Sequence, residues 1–254
     1  MKVVRRIAEL ETALGTGLVP TMGSLHAGHR ALLSAARREN SSVVMSLFVN
    51  PAQFDDTSDL AAYPRDEARD LAIAEEEGVD VVFAPDAGEL YPDGFATWVE
   101  PEQTGAEGAA RPGHFRGVAT VCLKLFNIVR PERAYFGQKD AQQVAVIRRL
   151  VRDLNVPLEI RVVPTVRDDD GLALSSRNVR LSPEERALAL GLPRSLQEAA
   201  GAPDPVMAVR ASLNGLAPEY VELVDLGDAT VLAAAVRVGS NRLIDNVLVK
   251  GDLA

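Results

Sequence analysis

The sequence predicts an α/β fold in which a Rossmann-like N-terminal domain, built on a parallel sheet, precedes a smaller α+β C-terminal domain. Short, nearly continuous apolar runs alternate with segments of helical spacing, as in parallel sheets that are covered on both faces. Near Pro164 the pattern changes: a helix-capping signal and two alternating apolar stretches follow, and they are typical of helices beside a small antiparallel sheet. We therefore divide the chain into residues 1–165 and 166–254.

The elements of the first domain follow from the spacing of apolar residues. Uninterrupted apolar runs predict buried strands, and apolar residues that recur every three or four positions predict helices. The predicted strands lie at 18–20, 43–49, 79–83 and 158–163, with a further short one ending near Phe136. The predicted helices lie at 29–38, 66–77, 117–129 and 140–153.

The second domain begins with a clear helix signal. Ser182 is expected to cap a helix, because Pro183 suits its first position and Glu185 completes a capping box. The segment GAPDP, at 201–205, is predicted to be a loop. Two strands of a small antiparallel sheet are predicted at 220–226 and 242–249.

Composition narrows the classes of function. The chain has 254 residues, 47% of them hydrophobic, and a formal net charge of −9. An acidic chain is a poor binder of nucleic acid, whose phosphates attract Lys and Arg. The single cysteine, Cys122, excludes an internal disulfide and a multi-cysteine zinc site. No apolar run has the length of a signal peptide or a membrane span, so we expect a cytoplasmic protein without membrane contact.

The segment PTMGSLHAGHR, at 20–30, joins a predicted strand to a predicted helix. Open α/β sheets bind ligands at such strand ends, and free N–H groups at a helix N-terminus favour phosphate. Gly23 and Gly28 allow a ligand to approach the backbone closely, and His26 and His29 add imidazole hydrogen bonds. The alternative is that both histidines merely cap the helix. Because the sequence has only three histidines, two beside one glycine turn favour a functional site.

A second segment, Leu174-Ser175-Ser176-Arg177-Asn178, combines hydroxyls with a cation, which suits a triphosphate. Taken alone, it is more typical of an exposed turn. However, the His-x-Gly-His pattern of residues 26–29 resembles the signature of the nucleotidyltransferase superfamily, whose members transfer adenylyl groups from ATP. Members usually carry a second, Ser- and Lys-rich loop downstream, and the pairing of both segments favours a nucleotide site.

Positive charge is concentrated in residues 111–139, which carry six basic residues, one acidic residue and a net charge of +5. In an acidic protein this predicts a focused anion site. Lys139 lies at its end and suits phosphate, the alternative being a solvated surface lysine. Asp140 follows and is expected either to bind ribose hydroxyls or to cap the next helix.

The segment FVNPAQF, at 48–54, ends a predicted buried strand. Asn50 suits a structural role in the turn before Pro51. Gln53 offers donors and acceptors at the carboxyl edge of the sheet, where a small polar substrate would bind.

These segments together resemble one family, pantothenate synthetase, also called pantoate–β-alanine ligase. The resemblance covers nearly the whole chain in order. It rests on PTMGSLHAGH, FVNPAQF, YPRD, RPGHFRGVATVCLKLFNIVRP, FGQKDAQQ, PTVRDDDGLALSSRN and RLIDN. It implies an enzyme that uses ATP and Mg²⁺ to convert pantoate to pantoyl adenylate and pyrophosphate, after which β-alanine displaces AMP to give pantothenate. It also implies a homodimer formed through the N-terminal domain.

The resemblance further implies roles for individual residues. His29 is implied as proton donor and His26, Lys139 and Arg177 as the other catalytic residues. Gln53 and Gln143 are implied to hold pantoate, Gln53 also lying near β-alanine, and Asp70 is implied to lie near Mg²⁺. The implied ATP-binding residues are Met22, Gly23, Ser24, Leu25, His26, Ala27, Gly28, His29, Gly137, Gln138, Lys139, Asp140, Val166, Leu174, Ser175, Ser176 and Arg177.

The chain departs from the family pattern at three places. Leu174 stands where the family commonly has Met, and Arg69 stands where an acid often precedes Asp70. The C-terminal domain is short, with GAPDP marking the trimmed region. Three other interpretations stay open on the sequence: another nucleotidyltransferase, a metal-dependent hydrolase using His26, His29 and His114, and a non-catalytic nucleotide-binding module.

Overall fold

The structure is a computed structural model that describes residues 1–11, 13–102 and 105–252. It contains a six-stranded parallel sheet, formed by β1 to β6, and a three-stranded antiparallel sheet, formed by β7 to β9. The strands are β1 Lys2–Val4, β2 Thr16–Thr21, β3 Ser42–Leu47, β4 Val81–Phe83, β5 Arg133–Gly137, β6 Glu159–Val163, β7 Ala217–Asp225, β8 Ala229–Val238 and β9 Asn241–Gly251.

Helices cover the parallel sheet and pack beside the antiparallel one. The α-helices are α1 Ala27–Glu39, α2 Thr57–Ala62, α3 Glu67–Glu76, α4 Ala87–Leu90, α5 Ala106–Ala110, α6 His114–Val129, α7 Ala141–Asp153, α8 Pro183–Ala189, α9 Gly191–Ala199 and α10 Pro205–Ser212. No α-helix within the described residues is both long enough and apolar enough to span a bilayer.

The fold class predicted from the sequence is confirmed. Two buried clusters lie against the parallel sheet, one including Phe115 and Phe126 of α6 and the other including Leu33 of α1. A third cluster joins α9 and α10 to the antiparallel sheet. The parallel sheet ends at β6 and the antiparallel one begins at β7, while the division at residue 165 stays a prediction.

The structure corrects the prediction for the second domain, where the sequence indicated two strands. The strand β8 lies between β7 and β9 and is buried along almost its whole length. Its run of alanines has no alternation, because a central strand covered on both faces needs none. The structure also starts α6 at His114 rather than at Gly117. The capping box of Ser182 and Glu185 is confirmed at α8.

The order of strands in the parallel sheet defines where a ligand binds. The order is β1-β4-β3-β2-β5-β6, so the chain builds outward from β2 in one direction and then from β5 in the other. The point where the direction reverses lies between β2 and β5. Doubly wound sheets form their binding crevice there, outside the carboxyl ends of the strands.

Pro20 widens this crevice. The carbonyl of Thr16 accepts from Glu132 on the β5 side, whereas the carbonyl of Thr21 accepts from Phe48 on the β3 side. Because alternate residues of a parallel strand face opposite neighbours, the position of Pro20 faces β5, and proline has no N–H to donate. Accordingly β2 pairs with β3 through Thr21 but with β5 only at Gly17 and Leu18. The two central strands therefore separate toward their carboxyl ends.

Candidate active site

A cavity of about 840 Å³ opens at the carboxyl ends of β2 and β5 and extends toward the antiparallel sheet. Many of the residues predicted for the site line it together, although the sequence separates them by more than 150 positions. From the predicted set, the lining residues are Met22, His26, Gly28, His29, Gln53, Gly137, Lys139, Asp140, Gln143, Val166, Leu174, Ser175, Ser176 and Arg177.

The loop between β2 and α1 is shaped by a buried carboxylate. Gly23 and Ser24 both have positive φ, 84° and 53°, and this conformation turns successive N–H groups to one side. The two carboxylate oxygens of Asp70, which is 1% exposed, accept from the backbone N–H groups of Ser24 and Leu25, both at 2.8 Å. A Cβ at position 23 would lie 2.8 Å from the Asp70 carboxylate, so glycine is required there.

Asp70 thus occupies the amides of Ser24 and Leu25, so these two groups are not free to bind a ligand. Five of the residues predicted to bind ATP shape the backbone around the site and are not among those that line the cavity. They are Gly23, Ser24, Leu25, Ala27 and Gln138. Direct contact of these five with ATP stays a prediction.

His26 and His29 accept hydrogen bonds from backbone N–H groups at the start of α1, and both also line the cavity. The Nδ1 atom of His26 accepts from the N–H of Gly28 at 3.1 Å, and Nδ1 of His29 accepts from the N–H of His26 at 3.3 Å. A ring nitrogen that accepts carries no proton, so in each neutral ring the hydrogen is on Nε2. The prediction that both histidines cap the helix is therefore confirmed. Each ring still has an N–H donor available for a ligand.

Both histidines are held neutral by their surroundings. Burial, with the positive charge of Lys139 adding to it, lowers the pKa of His26 to about 4. Burial and the neighbouring His26 lower the pKa of His29 to about 3. A bound triphosphate would act in the opposite direction, because nearby negative charge stabilises an imidazolium.

Lys139 and Asp140 follow directly after β5, in a 3₁₀ turn, Gln138–Asp140, that leads into α7. The Lys139 side chain is only 19% exposed and lines the cavity, so it is not a solvated surface lysine. Its Nζ atom lies 3.8 Å from Asp140 Oδ1. Asp140 makes no side-chain cap to α7, which leaves its carboxylate available for hydroxyl groups.

The Ser-Ser-Arg loop lies against the His-x-Gly-His loop. Ser176 Oγ donates to the backbone carbonyl of Ser24 at 3.1 Å. Arg177 pairs with Asp59 of α2 at 2.7 Å, and Arg180 lies 3.5 Å from the same carboxylate. The two segments predicted to bind phosphate are thus in direct contact, and Asp59, which no sequence motif indicated, joins them to α2.

Gln53 lies on a turn that is fixed from three sides. Asn50 is 1% exposed and caps this turn, and its Nδ2 donates to Gln53 Oε1 at 3.0 Å. The Nδ1 atom of His114 donates to the Gln53 carbonyl at 2.8 Å, since a carbonyl only accepts. Arg111 reaches the same carbonyl at 3.3 Å. The structural role predicted for Asn50 is confirmed, and His114 positions the Gln53 backbone.

The prediction that residues 111–139 form a focused anion site is wrong. Only Arg111 and Lys139 of its six basic residues line the cavity. Arg116 stacks over Trp98 at 4.4 Å and Lys124 lies over Phe95 at 4.8 Å. Successive helix positions point in different directions, so charges close in sequence on α6 separate in space. The other cations at the cavity come from distant segments and include Arg177 and Arg242.

The donors present do not form a metal cage. No group of three His, Cys, Asp or Glu suited to a metal ion occurs within the described part of the chain. Both oxygens of Asp70 are buried and already accept backbone hydrogen bonds. A hydrolase built on His26, His29 and His114 is therefore not supported, and the location of Asp70 near Mg²⁺ stays a prediction.

A doubly wound sheet, a crevice at its switch point and a concentration of side chains of the types that suit phosphate define the class of α/β enzymes that bind nucleotides. Comparison with known proteins identifies the family. Residues 1–248 match the family described as pantoate-beta-alanine ligase, and the chain belongs to it.

Relatives and solved structures agree with this family. Pantothenate synthetase of Roseiflexus sp. (strain RS-1) is 51% identical, and the match covers 98% of this chain and 100% of the relative. It spans 277 positions, more than this chain's 254 residues, so some internal residues of that relative have no counterpart here. The structure of pantothenate synthetase from Thermus thermophilus is 46% identical, with a TM-score of 0.94 and coverage of 98% and 99%. That of pantoate-beta-alanine ligase from Francisella tularensis, complexed with beta-gamma ATP and beta-alanine, is 35% identical, with a TM-score of 0.86 and coverage of 98% and 97%.

Proposed function

We propose that this protein joins D-pantoate to β-alanine with the consumption of ATP, through a pantoyl adenylate. The single observation that carries the proposal is the contact of Ser176 with Ser24 beside Lys139 and the two histidines. Three segments that would bind phosphate thereby line one cavity at the switch point of the sheet. The Francisella relative, which is complexed with beta-gamma ATP and beta-alanine, supports the same pair of ligands.

The first step is attack of a pantoate carboxylate oxygen on the α-phosphorus of ATP. A new P–O bond forms, the bond to the β-phosphate breaks, and pyrophosphate leaves with the negative charge. Lys139, Arg177 and the Nε2–H groups of His26 and His29 would stabilise that charge. Gln53 and Gln143 would hold pantoate in line with the α-phosphate, and Asp140 and Val166 would contact ribose and adenine.

In the second step the amine nitrogen of β-alanine attacks the acyl carbon, a C–N bond forms, and AMP leaves. A proton is released from the amine, and a phosphate oxygen of the departing AMP or solvent can accept it, because both imidazoles use Nδ1 for backbone hydrogen bonds and present a protonated Nε2. Mg²⁺ would enter with ATP, held by phosphate oxygens, because this ion keeps waters and uses few protein ligands. The metal supplies charge neutralisation on the triphosphate.

We also propose a homodimer and a cytoplasmic location. The N-terminal domain carries three aromatic rings in partly exposed positions, Tyr91, Phe95 and Trp98, packed at centroid distances of 5.1 to 5.9 Å. Aromatic clusters of this kind are enriched at interfaces between subunits. Light scattering of the purified protein measures the assembly directly, and a monomer at micromolar concentration contradicts this part of the proposal.

Product analysis tests the function. Purified protein is incubated with ATP, Mg²⁺, D-pantoate and β-alanine, and AMP, pyrophosphate and pantothenate are quantified. Equal amounts of all three are expected, and omission of β-alanine should leave pyrophosphate release limited to enzyme-bound pantoyl adenylate. Absence of AMP and pantothenate overturns the function. A nucleotidyltransferase of another kind would release pyrophosphate with an acceptor other than pantoate.

A further inference from the structure

The sequence RLIDN, at 242–246, ends in two buried polar residues that the proposed reaction does not use. Asp245 is 3% exposed and Asn246 is 2% exposed, and both lie in β9 of the C-terminal domain. Buried polar side chains need partners, because an unpaired group loses its hydration without compensation. The partners of these two residues lie in segments that line the candidate nucleotide site.

Asn246 binds the turn that carries Lys139. Its Nδ2 atom donates to the backbone carbonyls of Gln138, at 3.0 Å, and Lys139, at 2.9 Å. The orientation of the amide is unambiguous, since the opposite one would place an oxygen against two carbonyls. Its Oδ1 atom is buried and has no hydrogen-bond partner within the described residues. Asn246 is therefore placed for its two donor bonds, and its acceptor is left unpaired.

Asp245 binds a second segment. Its carboxylate accepts from Arg167 at 2.7 and 3.1 Å, and one of its oxygens also accepts from the backbone N–H of Asn246 at 2.8 Å. Arg167 follows Val166, whose carbonyl accepts from the N–H of Leu174. The pair Asp245–Asn246 thus connects the chain at Lys139 with the chain at Val166 through adjacent positions of one strand.

We propose that Asp245 and Asn246 are positioning residues that set the distance between the phosphate end and the adenine end of the ATP site. The proposal rests on the proposed function, which assigns Lys139 to phosphate and Val166 to adenine. Both residues also line the cavity, but the carboxylate of Asp245 is engaged with Arg167 and the Nδ2 of Asn246 with the turn at Lys139. Each acts by holding the backbone of a segment that would contact the nucleotide, so their loss weakens ATP binding more than it affects the other two substrates.

The main test is Asn246→Leu, which keeps the branched shape and the number of side-chain heavy atoms and removes both donors and the unpaired acceptor. Affinity for ATP in the absence of pantoate is measured by calorimetry, and KM is measured for ATP, pantoate and β-alanine. We expect ATP binding and the KM for ATP to worsen about tenfold, the scale of losing one to two hydrogen bonds. The KM for β-alanine is expected to change less than about twofold.

Two further variants separate positioning from general stability. Asp245→Asn keeps the shape but replaces one acceptor of Arg167 by a donor, and it should also raise the KM for ATP. Val209→Ala removes packing in the core of the same domain, where Val209 is fully buried away from the cavity. It should lower the melting temperature and leave the KM for ATP unchanged. If Asn246→Leu does not fold, the KM of the Asp245→Asn variant for ATP decides between a positioning role and a role in stability alone.

Wild-type ATP affinity in the variants overturns the proposal, and so does an equal rise in the KM for all three substrates. Failure of the proposed function has a different signature. Wild-type protein would then form no pantothenate, whereas the effect of Asn246→Leu on ATP affinity would still be measurable. Formation of pantothenate by the wild type, with ATP binding unaffected in both variants, rejects the positioning role alone.

Discussion

The two loops that meet at the cavity are held in different ways. The loop between β2 and α1 is fixed from within, by Asp70 beneath its backbone and by histidine caps at its end. The loop around Ser176 and Arg177 also has hydrogen bonds within it, such as that from Asn178 Nδ2 to the Ala173 carbonyl. However, it is attached to its neighbours by side chains, among them the Arg177–Asp59 pair, whose side chains are 28% and 27% exposed. The first loop is preformed, while the second depends on contacts that water and phosphate compete for.

The largest effect is expected from removing the groups that face the phosphates. Replacement of His29 or Lys139 by alanine should lower the rate of adenylation about 10²-fold or more, the usual scale for one electrostatic contact to a transition state. Pyrophosphate release under single-turnover conditions measures it. Arg149→Ala serves as control, since this α7 side chain is 53% exposed and pairs with Glu102. Near-normal pyrophosphate release by both site variants contradicts their roles.

Asp70→Asn should disturb the preformed loop most. An amide keeps one acceptor and turns a donor toward a backbone N–H, so we expect a loss of about 2–3 kcal/mol in the free energy of unfolding. Asp66→Asn is the matched control. Asp66 caps the same helix through Arg69 N–H, and Asn caps as well as Asp does. Equal denaturation midpoints for the two variants would show that Asp70 does not hold the loop.

The histidine caps of the same loop predict a pH dependence of stability. The folded state holds the pKa of His26 at about 4 and of His29 at about 3, below the unfolded value near 6.5. Between about pH 6.5 and pH 4 the unfolded chain therefore binds protons that the folded chain does not, and stability falls as the pH falls. The loss is at most about 2 kcal/mol per histidine at pH 5.

Thermal unfolding at pH 7 and pH 5 measures this loss. A double variant, His26→Gln and His29→Gln, removes the titrating groups while leaving the carboxylates that also titrate. The melting temperature of the double variant should therefore decrease less between the two pH values. An equal decrease in both proteins would mean that the histidines are not held neutral.

The smallest effect belongs to the other loop. Asp59→Asn should change the free energy of unfolding by less than about 1 kcal/mol, because a partly exposed ion pair contributes little. Releasing Arg177 should lower the KM for ATP about two- to fivefold, the same free energy expressed as affinity. Asp204→Asn, at the cap of α10 and away from the cavity, should change neither quantity. A rise in the KM for ATP after Asp59→Asn would mean that Asp59 instead holds Arg177 in a productive position.

Functional residues could be predicted from the sequence where they lie shortly after the end of a strand. His26, His29 and Lys139 could be selected because glycine turns and their residue types mark the junctions after β2 and β5. The pairing of Asp59 with Arg177 lies beyond such reasoning, since the two are 118 residues apart and no local pattern connects them. For the same reason the prediction of an anion site from the net charge of residues 111–139 was wrong. Charge was counted along the chain, whereas the side chains of α6 point in different directions around the helix. The strand β8 was missed because an alanine-rich run fits a helix equally well.

Pro20 has a consequence for the dynamics of the sheet. Where β2 and β5 separate, the backbone groups along their facing edges have no ladder to protect them, and they are expected to exchange their hydrogens with water faster than those of β3. A nucleotide in the crevice would lie between these edges and slow the exchange. The centre of a sheet is ordinarily its slowest-exchanging part. Because Pro20 has no N–H to donate, hydrogen exchange at the centre of this sheet is expected to change when a ligand binds.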